Sequence, residues 1–369
     1  MKLLDIKEII KNLKKIKIKI VSYIFIRRML KNKLIPNLNK KQKKEIKKYW
    51  GKRYFGINYL WYKYFTFVNK KFDCKYITED FFFNSIIPVF NDISLTKAYV
   101  DKNYYDNHFK NIKKPKTILR NIAGVFYDEN YKRKNKEVIL EELLKIEGEY
   151  IIKPSLDTGG GRNIKKLIIK NKKIYYREKE INLGILLKEY KKDYLIQECI
   201  KQSLFLERLY PKSVNTMRII SYKEGEEFYI LAGSLRLGRN ESEIDNMSAG
   251  GIVIGIDVEN GKLKPYGITE ELEVIENFHP DTKSIFSNIF IPNWDLIKKE
   301  IEIWCEDIPP YFKLVSWDVT LNKENKPVFI ELNLRYQGIE LTQLNGPIFG
   351  EKTEYFLKKV EKYKKDLVF

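Results

Sequence analysis

Cysteine and histidine are scarce in this chain of 369 residues, with three of the first (Cys74, Cys199, Cys305) and two of the second (His108, His279). The cysteines lie far apart and no CxxC occurs, which argues against a Cys/His zinc site and against a disulfide framework. Thiols so spaced suit a reducing cytoplasm. Proline (12) and glycine (19) are few, which argues against a collagen-like or low-complexity chain. Acidic residues are nearly missing from residues 1–50, where 15 Lys and 2 Arg face 3 acids for a net +14. That segment also lacks an apolar run long enough to cross a bilayer, "IVSYIFI" being too short. No small-residue cleavage site follows it, so a secretory signal peptide is not expected.

Hydrophobic residues make up 44% and aromatics 14%, so most of the chain is expected to fold, and its length suffices for two or three domains. The net charge is +20, so the 319 residues after the first fifty carry only +6, and the signal for an anionic partner belongs to the N-terminal segment. There Leu3, Ile6, Ile10 and Leu13 recur at helical spacing with lysines between them. Such a helix suits an anionic membrane surface, or it packs on its own domain with a solvated basic face. No RNP-like or zinc-knuckle motif accompanies it, so nucleic acid is not an expected partner.

Further along, residues 41–115 mix aromatic-rich helical stretches with an expected strand at "IIPVFND". An amphipathic helix is expected over 136–148. Strands follow at "EYIIKPS", at a hairpin "IKKLIIKNKKIYYRE", and at "DYLIQECI", with a helix "EINLGILLKEYK" before the last. From residue 213 longer strands appear: "NTMRIISYKEG", "EFYILAGSLRLGR" and "GGIVIGIDVENGKLKPYGI". A helix, "IPNWDLIKKEIEIWCEDIP", two more strands and a basic C-terminal helix complete an α+β pattern.

The two late strands carry a pattern with chemical meaning. In "LVSWDVTL", Asp318 shares a face with Ser316 and Thr320. In "VFIELNL", Glu331 shares one with Phe329 and Asn333. A four-residue loop, Lys323–Lys326, would set Asp318 directly across from Glu331, with Cβ atoms about 5 Å apart. Two such carboxylates repel, and a divalent cation between them reverses the sign. Adding the Asn333 oxygen gives an all-oxygen set that suits Mg²⁺. A sheet face open to solvent would need no metal.

The stretch "IIKPSLDTGGGRNI" sets Lys153 at a strand end, ahead of a turn from Ser155 to Gly161. In a P-loop the lysine follows the glycines, and a kinase-type glycine loop also precedes its lysine, so neither fits. Glycines let a backbone close over phosphate oxygens, and a lysine beside them supplies charge. An ordinary hairpin turn is the plainer alternative.

Taken in order, "DK" at Asp101-Lys102, the glycine stretch, "LIQECI", "SVNTMRII", "LRLGRNESEIDNMSAGG" and "WDV…FIELN" resemble the ATP-grasp superfamily over roughly residues 95–350. The resemblance is to the sugar-transfer associated ATP-grasp proteins of surface-polysaccharide gene clusters, which are similar to α-L-glutamate ligases. It implies an ATP-grasp fold, with two α+β subdomains clasping ATP and a basic helical N-terminal extension. The divisions it implies are a basic segment (1–50), a helical region (51–115), a lid subdomain (116–200), a metal- and substrate-binding subdomain (201–350) and a C-terminal helix (351–369).

The same resemblance implies roles. Lys102, Lys153, Ser155 and Gly159, Gly160 and Gly161 would hold the ATP phosphates. Gln197, Glu198, Cys199 and Ile200 would form the adenine hinge, with Cys199 lining the nucleotide pocket. Gln202 and Glu207 are the two candidates for the ribose. Arg218 and Arg236 would hold the γ-phosphate or acyl-phosphate oxygens, a task guanidinium forks suit. Asp318, Glu331 and Asn333 would bind Mg²⁺, with Mn²⁺ as a substitute. Asn246, Ser248, Gly250 and Gly251 would line the acceptor side, and Arg335, Gln337 and Gly338 would shape the substrate end. The function implied is a cytoplasmic carboxylate–amine ligase working through an acyl phosphate, on a sugar or amino-acid precursor of surface polysaccharide. Residues 1–50 would hold it peripherally at the inner membrane face. A small-molecule kinase on the same fold, and a nucleotide-binding partner of a glycosyltransferase without turnover, are the alternatives.

Overall fold

A computed structural model describes residues 3–51, 53–54, 56–156 and 163–366. Two antiparallel sheets organise the chain. The first comprises β1 (Thr117–Ile122), β2 (Val125–Tyr127), β3 (Arg133–Lys134), β4 (Gly148–Pro154), β5 (Lys165–Lys170), β6 (Lys173–Tyr176), β7 (Lys179–Ile181) and β8 (Tyr194–Glu198). Their order is β3-β2-β1-β8-β4-β5-β6-β7, so β4 lies between β8 and β5. The second comprises β9 (Thr216–Glu224), β10 (Glu227–Leu237), β11 (Ile252–Ile256), β12 (Leu263–Ile268), β13 (Val274–Glu276), β14 (Leu314–Leu321) and β15 (Pro327–Asn333). Its order is β13-β12-β11-β10-β9-β14-β15, which sets β9 between β10 and β14.

Each sheet buries a face under amphipathic helices. Helices Lys136–Lys145 and Leu183–Tyr190 supply Ile139, Leu143, Leu186 and Leu187, which pack with Ile152, Leu167 and Ile196 of the first sheet. Helix Trp294–Glu306 buries Trp294, Ile297, Ile301 and Trp304, a stripe at spacings of three and four, with Trp317 and Phe329 of the second sheet. The other face of that sheet is covered by the N-terminal helices. Ile26, Ile46, Trp50, Trp61 and Phe65 form one core with Ile220, Tyr222 and Leu314.

Several local expectations are corrected. "IIPVFND" is no strand: Phe82–Ile86 is a π-helical turn and Ile87–Phe90 an α-helical one. Pro88 sits in the first turn of that helix, where its missing N–H costs no bond. A short apolar run cannot separate the two states by pattern alone. The expected helix over 136–148 stops at Lys145, and β4 begins at Gly148. "EINLGILLKEYK" opens as β7, and Asn182 caps the helix that follows by accepting from the Ile185 N–H. The long run from Gly250 is split into β11 and β12 by a turn in which Gly261 adopts φ +76.

The N-terminal helix, Leu3–Met29, divides its surface between the two expected uses. Ser22 and Ile26 are buried against the fold, and the Ser22 hydroxyl accepts from Trp61 Nε1 at 3.0 Å. Ile10 and Leu13 are exposed, as are Ile16, Ile20 and Ile24, which recur every four residues. Among the described residues no helix is long and apolar enough to cross a membrane.

Candidate active site

Between the sheets lies a cleft of about 530 Å³. Lys102, Lys153, Gln197, Arg218, Arg236, Asp318, Glu331 and Asn333 all line it. β14 is buried along its whole length, and Asp318 is 1% exposed, so the solvent-open alternative for this face is rejected.

Asp318 stands opposite Glu331, but not by the loop expected from the sequence. Leu321 pairs with Pro327 and Val319 with Phe329, one residue out of the expected register. A bulge at Ile330 restores it, so that Asp318 meets Glu331 and Ser316 meets Asn333. The bulge also breaks the expected alternation. Phe329 turns into the core with Trp304 and Trp317, while Ile330, Glu331 and Asn333 line the cleft.

Cations hold both carboxylates. Arg218 donates to Asp318 through Nε and Nη2, each at 2.8 Å, and Arg236 Nη2 donates to the same carboxylate at 3.0 Å. Burial favours the neutral acid, yet Arg218 and then Arg236 keep Asp318 far below the usual carboxylate range. For Arg218 burial opposes the charge, but Asp318 outweighs it and the guanidinium is held more firmly protonated. Lys102, 7% exposed, brings Nζ to 2.8 Å from Glu331. Its backbone N–H donates to the Ser155 carbonyl at 2.9 Å, tying the first sheet to the metal-type strands. Lys153 ends β4 nearby, and burial together with Lys102 pushes its ammonium down to about 8. Asp245 completes the inner group: it lies 3.5 Å from Arg236 Nε and accepts from the Thr216 N–H at 2.9 Å. Four cations thus face three carboxylates, an excess that favours an anionic ligand.

The donor set fits a hard cation. Asp318 and Glu331 come within hydrogen-bonding reach of each other, and the buried Asn333 Nδ2 has no partner among the described residues. An amide left unpaired in this position is free to turn its oxygen toward an ion. Among the described residues no group of three His, Cys, Asp or Glu side chains converges, so a cation held here would need the Asn333 amide as its third side-chain ligand.

Other expected residues divide. Glu198 and Ile200 line the cleft beside Gln197, whose amide donates to Thr117 Oγ1 at 3.0 Å. Cys199 is not among the cleft-lining residues: its N–H is bonded to the Glu149 carbonyl, and burial raises its thiol. Gln202 is a clamp and no ribose ligand, donating to the Tyr210 and Ser213 carbonyls and accepting from the Asn215 N–H. Glu207 is exposed on helix Leu204–Leu209, away from the cleft lining. Asn246 lines the cleft and accepts from Arg236 Nη1 at 3.2 Å, with Ser248 beside it. Gly250 and Gly251 shape that loop and are not among its lining residues. Gly250 sits at φ +89, and a Cβ on Gly251 would meet the Asp245 carbonyl at 2.4 Å. Gln337 is fully buried and donates to the Leu314 carbonyl, and Arg335 lies over the Tyr336 ring, so neither lines the cleft. Gly338 does line it, at φ +68 beneath Arg218. Ser155 is fully buried behind Lys153, with its hydroxyl unpartnered among the described residues. Gly159, Gly160 and Gly161 lie outside the described residues.

The sequence reading missed several lining residues: Phe25, Met29, Glu79, Phe83, Thr216 and Asp245, while Glu340 ends the "RYQGIE" stretch expected at the substrate end. Asp245 stood beside the asparagine singled out in "DNMSAGG". The N-terminal four carry no motif, and only tertiary packing brings them to the cleft.

A family described as sugar-transfer associated ATP-grasp matches residues 84–361. The chain belongs to this family. Its two α+β units about a charged cleft are the ATP-grasp fold, and the helices before residue 84 lie outside the match. The comparison with curated proteins gave no match. Solved structures similar to this ATP-grasp protein include an L-amino acid ligase from Bacillus licheniformis, at 11% identity, 68% of this chain, 43% of that one and a TM-score of 0.36. Another is the VanG D-Ala:D-Ser ligase from Enterococcus faecalis, at 12%, 71%, 61% and 0.40. A third is the D-cycloserine synthetase DcsG, at 10%, 74%, 73% and 0.38. The chain spans about half the length of the first structures it matches.

Proposed function

We propose that this ATP-grasp protein is an ATP-dependent carboxylate–amine ligase. One observation carries the reading: the opposed Asp318 and Glu331, ringed by Lys102, Lys153, Arg218 and Arg236 at the inner end of the cleft. Among the described residues lining it there is no cysteine or histidine to serve as a nucleophile. Such a set supports in-line transfer of the γ-phosphoryl group to a substrate carboxylate, where positioning and charge do most of the catalysis. Lys153 and Lys102 bind phosphate, while Arg218 and Arg236 hold the equatorial oxygens and then the acyl phosphate. Asp318, Glu331 and Asn333 would hold Mg²⁺, which would supply neutralisation of the phosphate charge. An amine then attacks the acyl carbonyl, giving an amide, ADP and phosphate.

The family's description, sugar-transfer associated, goes with a role in sugar transfer, and the reading extends this to a sugar-linked precursor of surface polysaccharide. The exposed isoleucines and basic charge of the N-terminal helix support placement at an anionic membrane face. ADP release from Mg²⁺-ATP tests the reading, against uronic acids, sugar nucleotides and amino acids, singly and in pairs. A ligase requires an acid and an amine together. A stable phosphorylated product formed without any amine would show a kinase instead.

A further inference from the structure

The cleft has two ends of opposite character. Its inner end is cationic, as described above. Its outer end is roofed by the N-terminal helices and is aromatic and acidic: Phe25, Met29, Phe83 and Tyr336 form walls, and Glu79 and Glu340 face inward between them. We infer that this outer end is the acceptor subsite, and that it takes a primary amine carried on an apolar or aromatic group. The inference rests on the ligase reading for the word acceptor, and on the lining for the chemistry.

The walls fit such a group. Phe83 and Tyr336 meet edge to face at 5.4 Å, and Phe25 leans on Trp61 at 6.1 Å. Aromatic faces attract an ammonium as well as its apolar carrier. Among the described residues neither Glu79 nor Glu340 forms a salt bridge. Arg218, whose charge lowers the Glu340 carboxyl, bonds Asp318 through Nε and Nη2. Glu79 is held by the N-terminal helix itself. Ser22 accepts from Trp61 Nε1 and so has its own hydrogen to donate to Glu79. Burial, then Glu340, pushes the Glu79 carboxyl up to about 7, with Asp80 adding to the shift and Ser22 opposing it. Burial raises the Glu340 carboxyl too, and two acids so placed accept a cation between them.

Chemistry needs this arrangement, because an ammonium cannot attack. Glu79 takes one proton from it. The C–N bond then forms as the C–O bond to phosphate breaks, and a second N–H proton leaves with the phosphate. The order of the cleft follows: nucleotide and acid at the cationic end, amine at the acidic one. Phe25, Met29, Glu79 and Phe83 lie before the family match, while Tyr336 and Glu340 lie within it, so the subsite joins the N-terminal segment to the family's own fold.

The test is ligand-observed NMR on the full chain, with phenethylamine, octylamine and the neutral 2-phenylethanol as probes. The amines should bind at least about tenfold more tightly than the alcohol. Glu79→Gln/Glu340→Gln should abolish that preference while leaving Mg²⁺-ATP binding intact, which also shows that the variant folds. Octylamine binding above phenethylamine points to a lipid-borne amine, and the reverse to an aromatic one. Equal binding of amine and alcohol, or an unchanged preference in the double variant, overturns the subsite. Absence of ATP binding with amine selectivity intact would overturn the ligase reading alone.

Discussion

Lys102 reaches across the cleft to Glu331, Nζ to Oε2 at 2.8 Å, and so joins the segment before the first sheet to the last strand of the second. Lys102 is buried, while the Glu331 side chain keeps 27% of its exposure. Glu331→Gln therefore removes charge without opening the core. ADP formation should fall roughly 100-fold or more, as for loss of a group that stabilises transition-state charge. Thermal stability should fall less than in Asp318→Asn, because only one buried cation loses its charged partner, and a drop as large as in that variant would contradict this division.

Asp318 is the opposite case. It is buried and serves two buried guanidiniums, Arg218 and Arg236. Asp318→Asn leaves both charges without their partner, at a cost of about 3–5 kcal/mol. Denaturant unfolding should show that loss with or without nucleotide. A variant as stable as the parent would mean that water or Asp245 compensates.

Gly338 links the loop after β15 to Arg218, the arginine proposed to hold phosphate. Its φ is +68, and a Cβ there would meet Arg218 Nη1 at 2.8 Å. Gly338→Ala should cost about 1–2 kcal/mol from backbone strain. It should also displace Arg218, lowering ADP formation more than ATP affinity. Matched losses in both would place the effect elsewhere.

Glu79 makes stability depend on pH. Its carboxyl is raised from 4.5 to about 7, so the folded state holds the proton more tightly than the unfolded one. The contribution is complete below the ordinary glutamate range and is lost as pH rises through about 7. Glu79→Gln stays neutral throughout. Its stability relative to the parent should therefore rise between about pH 4.5 and 7 and level off above, by on the order of 2–3 kcal/mol. A difference that does not vary with pH would show that Glu79 is solvated.

Membrane contact is best tested on the exposed face of the first helix, because deleting residues 1–48 would remove Ile26, Ile35, Leu38 and Ile46 from the core. Ile16, Ile20 and Ile24 are 53%, 54% and 58% exposed. Replacing all three by Glu should abolish flotation with anionic liposomes while changing stability by only about 0.5 kcal/mol per site. Equal flotation of parent and variant would leave the helix a packing element only.

Much of the fold could be read directly from the chain. Strand alternation and helical stripes are local, so β4 to β6, β8 to β12, β14, β15 and the helix Trp294–Glu306 follow from period and turn residues, while the short β1, β2, β3 and β13 carry no such signal. Asp318, Glu331 and Asn333 were legible for the same reason, since a hairpin fixes its own register. Even there the pairing was reached through a bulge at Ile330 that no periodicity announces. "IIPVFND" misled because a short apolar run suits either state, and its neighbours decide.

The sequence by itself determined the order of the phosphate- and metal-type residues and the basic charge of the N-terminal segment. Tertiary structure decided which polar side chains were free. Gln202 and Gln337 are spent on backbone groups, while Glu79 and Glu340 are left facing the cleft. It also decided that the first helix walls the site, through Phe25 and Met29. The meeting of residues 25, 79 and 340 at one cleft depends on packing over long sequence separations. Local pattern carries no information about such contacts, because their energy comes from burying surfaces that meet only once the chain has folded.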